Sequence, residues 1–261
     1  MDSLSVFVDG LQSIGRYTFS KQEALQSWKT SSKAFDLAAN RLQKKGRLES
    51  PRSGFFIIIP TEYLGTIPPP TWFVHDLMTF LKQPYYVGLL SAGAFHGAAH
   101  HQPQEFHIIT NKPTRKLLIK TSRIRFFKKN KLLLQFTKDL KGPTGPLVTS
   151  NPELTALDLV FYASKIGGLD LVGTVLFELA EVMNPKDLVK VAKEWPSLSS
   201  IQRLGYILDH LELHELSQPL LKWFKKQNAV KVPLALYKKS LAGPRNADWL
   251  IIENDKLEIE T

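Results

Sequence analysis

The pattern of apolar residues changes at Gly46 within the segment SSKAFDLAANRLQKKGRLESPRSGFFIII, residues 31–59. Before Gly46, apolar residues recur at intervals of three and four, which predicts an amphipathic helix with an N-cap among residues 30–32. Gly46 suits the position after the helix, where a left-handed conformation is common. Turn residues 50–54 then precede the aromatic and β-branched run 55–59, which predicts a hairpin. A helix that leads into a tight hairpin is typical of a winged helix-turn-helix.

Two further helices are predicted ahead of this segment. Apolar residues at helical spacing mark the first helix, residues 4–14, which ends near Gly15. The second begins as a capping box, in which Ser20 caps the third amide and Glu23 reaches back to the amide of Ser20. Three helices followed by a two-stranded wing predict a winged helix-turn-helix DNA-binding domain in residues 1–64.

Basic residues concentrate on the third helix and the wing. Seven basic and two acidic residues lie between Lys29 and Arg52. The third helix of such a domain enters the major groove and the wing contacts the backbone or the minor groove. Asn40 is the predicted reader of adenine, because its amide can bond N6 and N7 together. Phe35 lies either beside the groove or under the wing. The predicted DNA-binding residues are Ser31, Ser32, Lys33, Asn40, Arg41, Lys44, Lys45, Arg47 and Arg52.

An alternative interpretation treats the winged helix as a module that docks a partner protein. In that case, Lys44 and Lys45 only complement the dipole at the end of their helix. The basic surplus favours DNA.

A proline-rich segment, residues 65–70, predicts a linker because consecutive prolines resist both helix and sheet. The predicted fold class is α+β, with an N-terminal winged helix-turn-helix and a larger α+β domain, residues 71–261, that combines a small mixed sheet with a helical bundle. Helices are predicted in that domain at 71–83, 86–96, 152–165, 169–183, 185–194, 199–212 and 219–227. Strands are predicted at 105–110, 116–121, 124–128, 132–137 and 147–149, with two more in the tail at 249–252 and 257–260.

The net charge of +10 is concentrated in one part of the second domain. Ten basic residues and no acidic ones lie between Glu105 and Asp139. Such a concentration suits a polyanion, because neutralising phosphates releases counterions. It equally suits a solvated β-ribbon whose lysines discourage edge pairing. The core of this secondary basic patch is Lys112, Arg115, Lys116, Lys120, Arg123, Arg125, Lys128 and Lys129.

Composition excludes several other classes of protein. The chain has no cysteine, which removes disulfides, thiolate metal ligands and cysteine nucleophiles. It shows no signal-like N-terminus and no long apolar run, so we expect a cytoplasmic protein. His96 and His100 have the spacing of a zinc-binding helix, but Gly97 stands where the catalytic glutamate would be. We therefore predict no metal, no cofactor and no catalytic residues. The alternative is a nucleic-acid-processing enzyme that uses the basic ribbon and a histidine cluster, His96, His100, His101 and His107.

Several separated motifs resemble the C-terminal domain of AbiEi-family antitoxins. The resemblance covers nearly the whole chain, winged helix included, in order and spacing. The motifs are PYYVGLLSAGAFHG (84–97), EFHIIT (105–110), SNPELTALDLV (150–160), GGLD (167–170), RLGY (203–206) and WLIIEN (249–254).

This resemblance implies the antitoxin of a type IV abortive-infection toxin–antitoxin pair, active in phage defence. The winged helix would repress the promoter of its own operon, and the C-terminal domain would counter an AbiEii-type nucleotidyltransferase toxin without a stable complex. Leu154 stands where the family commonly has an arginine, which puts that residue's role in doubt. We expect Arg203 to form an ion pair with Glu153 or Asp158 rather than to act in catalysis.

Overall fold

The computed structural model describes residues 3–98, 103–238 and 242–259. Helices and mixed sheets both occur, so the predicted α+β class is confirmed. The chain packs into two compact units. The first unit consists of Met1–Tyr86, Gln104–Asn130 and Asp139–Val148; the second consists of Val87–Pro103, Lys131–Lys138 and Thr149–Thr261.

The first unit begins with three helices, a short strand and a hairpin. The strands pair antiparallel in the order β1-β3-β2. Strand β1 was not predicted, since three residues are too few for an alternating pattern. The elements are α1 (Leu4–Ser13), β1 (Thr18–Ser20), α2 (Lys21–Trp28), α3 (Ser32–Lys44), β2 (Leu48–Arg52) and β3 (Phe55–Ile58).

Local side-chain bonds set the ends of α2 and α3. Ser20 Oγ accepts the amide of Glu23 at 3.1 Å, but the Glu23 carboxylate pairs with Arg16 instead of closing the capping box. Ser31 Oγ caps α3 in the same way, at 3.2 Å from the amide of Ala34. Gly46, at φ +72°, ends α3 in the predicted left-handed conformation.

Aromatic rings fill the core beneath the hairpin. Phe19 stacks on Phe56 at 5.2 Å between ring centroids, and Phe35 meets the edge of Phe56 at 5.4 Å. Phe35 is fully buried, so it packs under the wing and not beside a groove.

The proline-rich segment lies inside the first unit and packs there. Ile67 and Pro68 are buried, and short 3-10 helices flank the segment at Thr61–Tyr63 and Pro70–Trp72. The two compact units divide the chain at other positions. The domain boundary at residues 65–70 therefore stays a prediction.

A six-stranded mixed sheet has the order β6-β7-β5-β4-β9-β8. Strands β5 and β7 are parallel, and β6 and β7 are antiparallel. Helix α4 (Val74–Phe80) precedes the sheet. Its strands are β4 (Tyr85–Val87), β5 (Phe106–Thr110), β6 (Leu117–Ile119), β7 (Ser122–Lys128), β8 (Thr137–Gly142) and β9 (Gly145–Ser150).

The second unit is largely helical and closes with a small sheet of order β10-β12-β11. Asn151 caps α6, with Pro152 at the first helical position as predicted. The helices are α5 (Leu89–Phe95), α6 (Pro152–Phe161), α7 (Ala163–Ile166), α8 (Leu169–Leu179), α9 (Pro185–Glu194), α10 (Leu198–His210) and α11 (His214–Phe224). The strands are β10 (Val232–Pro233), β11 (Arg245–Asn246) and β12 (Ile251–Ile252).

Several sequence predictions for secondary structure were wrong. The helix predicted at 219–227 begins five residues earlier, as α11, with Pro219 inside it. Residues 85–87 form β4, where a helix was predicted from residue 86, because Gly88 separates the strand from α5. Half of the predicted strand 132–137 is a 3-10 helix, Leu134–Phe136, and only its last residue is in a strand, β8. Residues 257–259 form no strand. Among the described helices, none is long and apolar enough to cross a bilayer.

Candidate nucleic-acid interface

Helix α3 buries one face and presents polar side chains on the other. Phe35, Ala39 and Leu42 are buried. The exposed side chains follow at intervals of three and four residues, which places them along one stripe. The exposed stripe of α3 consists of Lys33, Leu37, Asn40, Arg41 and Lys44.

Leu37 was not predicted as part of the site, although it lies in the middle of the stripe. Its side chain is 55% exposed. An apolar side chain at this position can contact the methyl group of thymine in the major groove. The sequence alone did not reveal it, because Leu37 also fits the apolar pattern of the buried face.

The turn before α3 is short and fixed at both ends. Lys29 ends α2 with φ +49°, a left-handed conformation, and Ser31 begins α3 as its N-cap. Ser31 therefore uses its hydroxyl on the backbone, while Ser32 and Lys33 remain exposed. Lys21 on α2 pairs with Asp36 on α3, so one acidic charge of α3 is neutralised within the domain.

Two of the predicted DNA-binding arginines are held by the protein itself. Arg47 Nη2 donates to Asp9 Oδ1 at 2.7 Å and to Gln12 Oε1 at 2.9 Å, both on α1. Arg52 Nη2 donates to the carbonyl of Arg115 at 2.7 Å, and burial lowers the pKa of Arg52. Both arginines support the wing, and a phosphate would have to compete with these bonds for them.

The contact between Arg52 and Arg115 joins the wing to the segment that leads into β6. Strand β6 lies against β2 at the edge of the hairpin. Exposed basic residues continue from the wing along β6 and β7, and the exposed Leu118 lies opposite Arg123 in the ladder. The exposed basic residues of this ribbon are Lys112, Arg115, Lys116, Lys120, Arg123 and Lys128.

Two members of the predicted secondary basic patch, Lys129 and Arg125, interact with other side chains of the protein. Lys129 is only 6% exposed, and its Nζ donates to the hydroxyl of Tyr86 at 3.2 Å. Arg125 Nη1 lies 3.4 Å from Glu105 Oε2 and above the ring of Phe127. Lys129 therefore does not belong to the exposed patch, and the charge of Arg125 is partly balanced.

The histidines that could have supported a metal site lie in separate environments. His107 is buried in β5, and burial, together with Arg125, lowers its pKa to about 4 even though Glu105 lies 3.9 Å away. His96 Nε2 lies 2.7 Å from the carbonyl of Ser150. His100 and His101 fall outside the described residues. Within residues 3–98, 103–238 and 242–259, no group of three or more histidines and carboxylates has a metal-binding arrangement.

The polar residues that the motif at 150–160 contributes to α6 are buried. Glu153 is 4% exposed, and its Oε1 accepts the amide of Asn184, the N-cap of α9, at 2.7 Å. Leu154 and Asp158 are fully buried. The guanidinium of Arg203 donates to backbone carbonyls, so the ion pair that we expected from Arg203 is not formed.

The element order and the exposed basic stripe define an α+β protein that begins with helices and a hairpin in winged-helix order. Residues 86–210 match the family model described as the AbiEi antitoxin C-terminal domain. The resemblance predicted from the sequence is therefore confirmed for residues 86–210. This family is not a family of enzymes, and the match supports an antitoxin role in a toxin–antitoxin system.

The fold also resembles a solved structure. The crystal structure of the RV2827C protein from Mycobacterium tuberculosis matches with a TM-score of 0.70 and 17% sequence identity, over 96% of this chain and 90% of that chain. At this identity, the likeness concerns the fold alone. No curated protein sequence matches the chain significantly.

Proposed function

We propose that this protein is a DNA-binding autorepressor and the antitoxin of a type IV, abortive-infection toxin–antitoxin system that acts in the cytoplasm. We assign operator binding to residues 1–64 and antitoxin activity to residues 71–261, joined by residues 65–70. The partner of the second activity is a nucleotidyltransferase toxin of the AbiEii type, countered without a stable complex.

The exposed stripe of α3 is the observation that carries DNA binding. Its two lysines and one arginine can contact phosphates, and Asn40 lies between them with its amide in solvent. Phosphate contacts fix the position of a protein on the duplex, while base contacts give specificity. Lys33, Arg41 and Lys44 therefore supply affinity, and Asn40 and Leu37 supply base preference.

The ribbon of β6 and β7 extends this interface beyond the wing. Arg52 holds the segment at Arg115 beside β2, so the basic residues of the ribbon begin where the wing ends. A duplex lying on α3 and the wing would meet further cations along its backbone. Each neutralised phosphate makes the slope of log K against log salt more negative by about 0.9.

The test of operator binding measures affinity for the DNA upstream of the gene at several salt concentrations. We expect a specific complex whose affinity falls steeply with salt. Replacing Lys33 and Lys44 together by glutamine should make the slope shallower by about 2 and weaken binding to every sequence. A matched control replaces the exposed Lys186 and Lys193 of α9 by glutamine, which changes the net charge equally and should leave the slope unchanged.

Absence of a complex at low salt would overturn the repressor half of the proposal. Equal changes in the α3 variant and the α9 control would show that net charge, and not the stripe, drives binding. Absence of a complex with DNA would also favour the alternative in which the winged helix docks a partner protein.

The antitoxin half is supported by the family match over residues 86–210. The test expresses the adjacent gene with and without this chain and measures growth. We expect a nucleotidyltransferase whose toxicity is relieved by the wild-type chain and equally by the Lys33→Gln, Lys44→Gln variant. Toxicity that persists with the wild-type chain present would contradict the assignment.

A further inference from the structure

A cavity of about 100 Å³ lies inside the second unit, close to the starts of two helices. It opens between the end of α6, the start of α8, the start of α10 and the segment after β10. The polar side chains of its lining are Ser164, Ser197, Ser199, Ser200, Arg203 and Tyr237.

Arg203 is the charged group of this cavity and is only 5% exposed. Its Nε donates to the carbonyls of Pro233 and Leu234, its Nη2 to Pro233 at 2.9 Å and its Nη1 to Ser199 at 3.3 Å. A guanidinium has five N–H donors, so one N–H on each terminal nitrogen has no acceptor within the described part of the chain. Burial without a carboxylate partner lowers the pKa of Arg203.

A buried cation without a countercharge is costly, because desolvation removes its interaction with water. The four carbonyl contacts offset part of that cost. They do not neutralise the charge, so an anion that enters the cavity meets a full positive charge in a medium of low dielectric constant.

The two helix starts add further donors on the same cavity. Neither Gly168, the N-cap of α8, nor Ser197, the N-cap of α10, makes a side-chain capping bond. Backbone amides at helix starts favour anions. The hydroxyls of Ser197 and Ser199 lie 3.0 Å apart, and Ser200 donates to Ser197 at 3.2 Å. These hydroxyls can turn toward an anion without moving the backbone.

We propose that this cavity binds a small ligand through an oxyanion, a phosphate or carboxylate group held by Arg203 and the hydroxyls of Ser197 and Ser199. Apolar side chains form the rest of the lining. Phe161 and Tyr237 are 45% and 58% exposed, so their rings stand at the open side and can contact the body of the ligand.

The test measures binding to the full chain by calorimetry, with inorganic phosphate in one arm and acetate in the other, at constant ionic strength set by chloride. We expect saturable binding of one of the two anions, which identifies the class of oxyanion. Ser199→Ala should weaken that binding about tenfold, or about 1.4 kcal/mol, because it removes one hydrogen bond to the anion. Arg203→Lys should abolish it, since lysine cannot reproduce the donors of the guanidinium.

Three controls keep the outcome specific. Arg245→Gln removes an exposed arginine of the same unit and should leave the affinity unchanged. The Lys33→Gln, Lys44→Gln variant should also bind the anion normally, so a failure of DNA binding does not affect this test. Ser199 contributes only its carbonyl to Arg203, so Ser199→Ala should keep the fold even if Arg203→Lys does not. Equal binding by wild type and Ser199→Ala, or no saturable binding of either anion, would show that Arg203 is only a structural tie to β10.

Discussion

Helices α3 and α6 differ in where their polar side chains lie. The polar residues of α3 lie along one exposed stripe, whereas α6 is buried from Pro152 to Val160, including Glu153 and Asp158. Exposed polar residues are free to contact a ligand, while buried ones must be satisfied inside the protein. The polar groups of α3 are therefore available for the proposed recognition of DNA, and those of α6 help to hold the second unit together.

The difference explains why a conspicuous sequence motif need not mark a binding site. The carboxylate of Glu153 accepts the amide of Asn184, the N-cap of α9, and Thr155 Oγ1 lies 2.6 Å from Ser150 Oγ. The first bond connects residues 31 positions apart in the sequence, and the second ties the start of α6 to the end of β9. Substitutions should accordingly reduce stability in α6 and DNA affinity in α3.

The largest effect is expected for Glu153→Ala. It removes the hydrogen bond between the amide of Asn184 and a buried carboxylate, so the free energy of unfolding should fall by about 2–3 kcal/mol. Urea unfolding measures this change, and DNA affinity should be retained below the unfolding transition. Glu181→Ala, at an exposed carboxylate in the same unit, should change stability by less than about 0.5 kcal/mol. A similar small change for Glu153→Ala would remove the contrast between the two helices.

Asn40→Ala should produce the next largest effect, and only on DNA. Loss of a bidentate contact with adenine lowers discrimination by about 1–3 kcal/mol. Competition assays with operator and unrelated DNA should show weaker operator binding, unchanged binding to unrelated DNA and unchanged stability. Equal losses on both DNAs would assign Asn40 to positioning.

The N-caps of α3 and α6 can be compared directly, because removing either one should lower stability by a similar amount. Ser31→Ala and Asn151→Ala each remove one capping bond, and each should lower stability by about 1 kcal/mol. Only Ser31→Ala should also weaken DNA binding, because it loosens the start of α3. Ser27→Ala is the control, since this exposed serine of α2 lies outside the predicted DNA-binding residues. A loss of DNA affinity with Asn151→Ala would contradict the separation of roles.

Leu37→Ala should give the smallest effect. Removing an exposed side chain should leave stability unchanged, and loss of a thymine methyl contact should weaken operator binding by less than about 1 kcal/mol. Replacing thymine by uracil in the operator should have the same effect on the wild type and none on the variant. Leu236→Ala, an equally exposed leucine in the second unit, should change neither quantity.

Local signals in the sequence predicted the helices and caps of the first unit. Ser20, Ser31 and Gly46 act where spacing and residue type placed them, because capping depends on neighbours within four residues. Strand β1 escaped detection because its extended form is supported by pairing with β3. Such pairing has no local signature.

Local signals could not predict which basic residues are exposed and which are bound within the protein. Arg47 finds Asp9 across 38 residues, and Arg52 finds the carbonyl of Arg115 across 63 residues. Arg203 likewise contacts carbonyls 30 and 31 residues away rather than a carboxylate. Sequence shows that a cation is present, but tertiary contacts decide whether it faces solvent.

The packing of the wing affects how the protein can be dissected genetically. Phe55 of β3 meets Phe80 of α4 at 5.4 Å between ring centroids, and Tyr17 meets Trp72 at 4.7 Å. A fragment that stops at residue 64 keeps the exposed stripe of α3. In that fragment, Phe55 and Tyr17 lose their ring contacts with Phe80 and Trp72. Such a fragment would lose part of its core, and the first unit is built from three separate segments, so point substitutions should map its functions better than deletions.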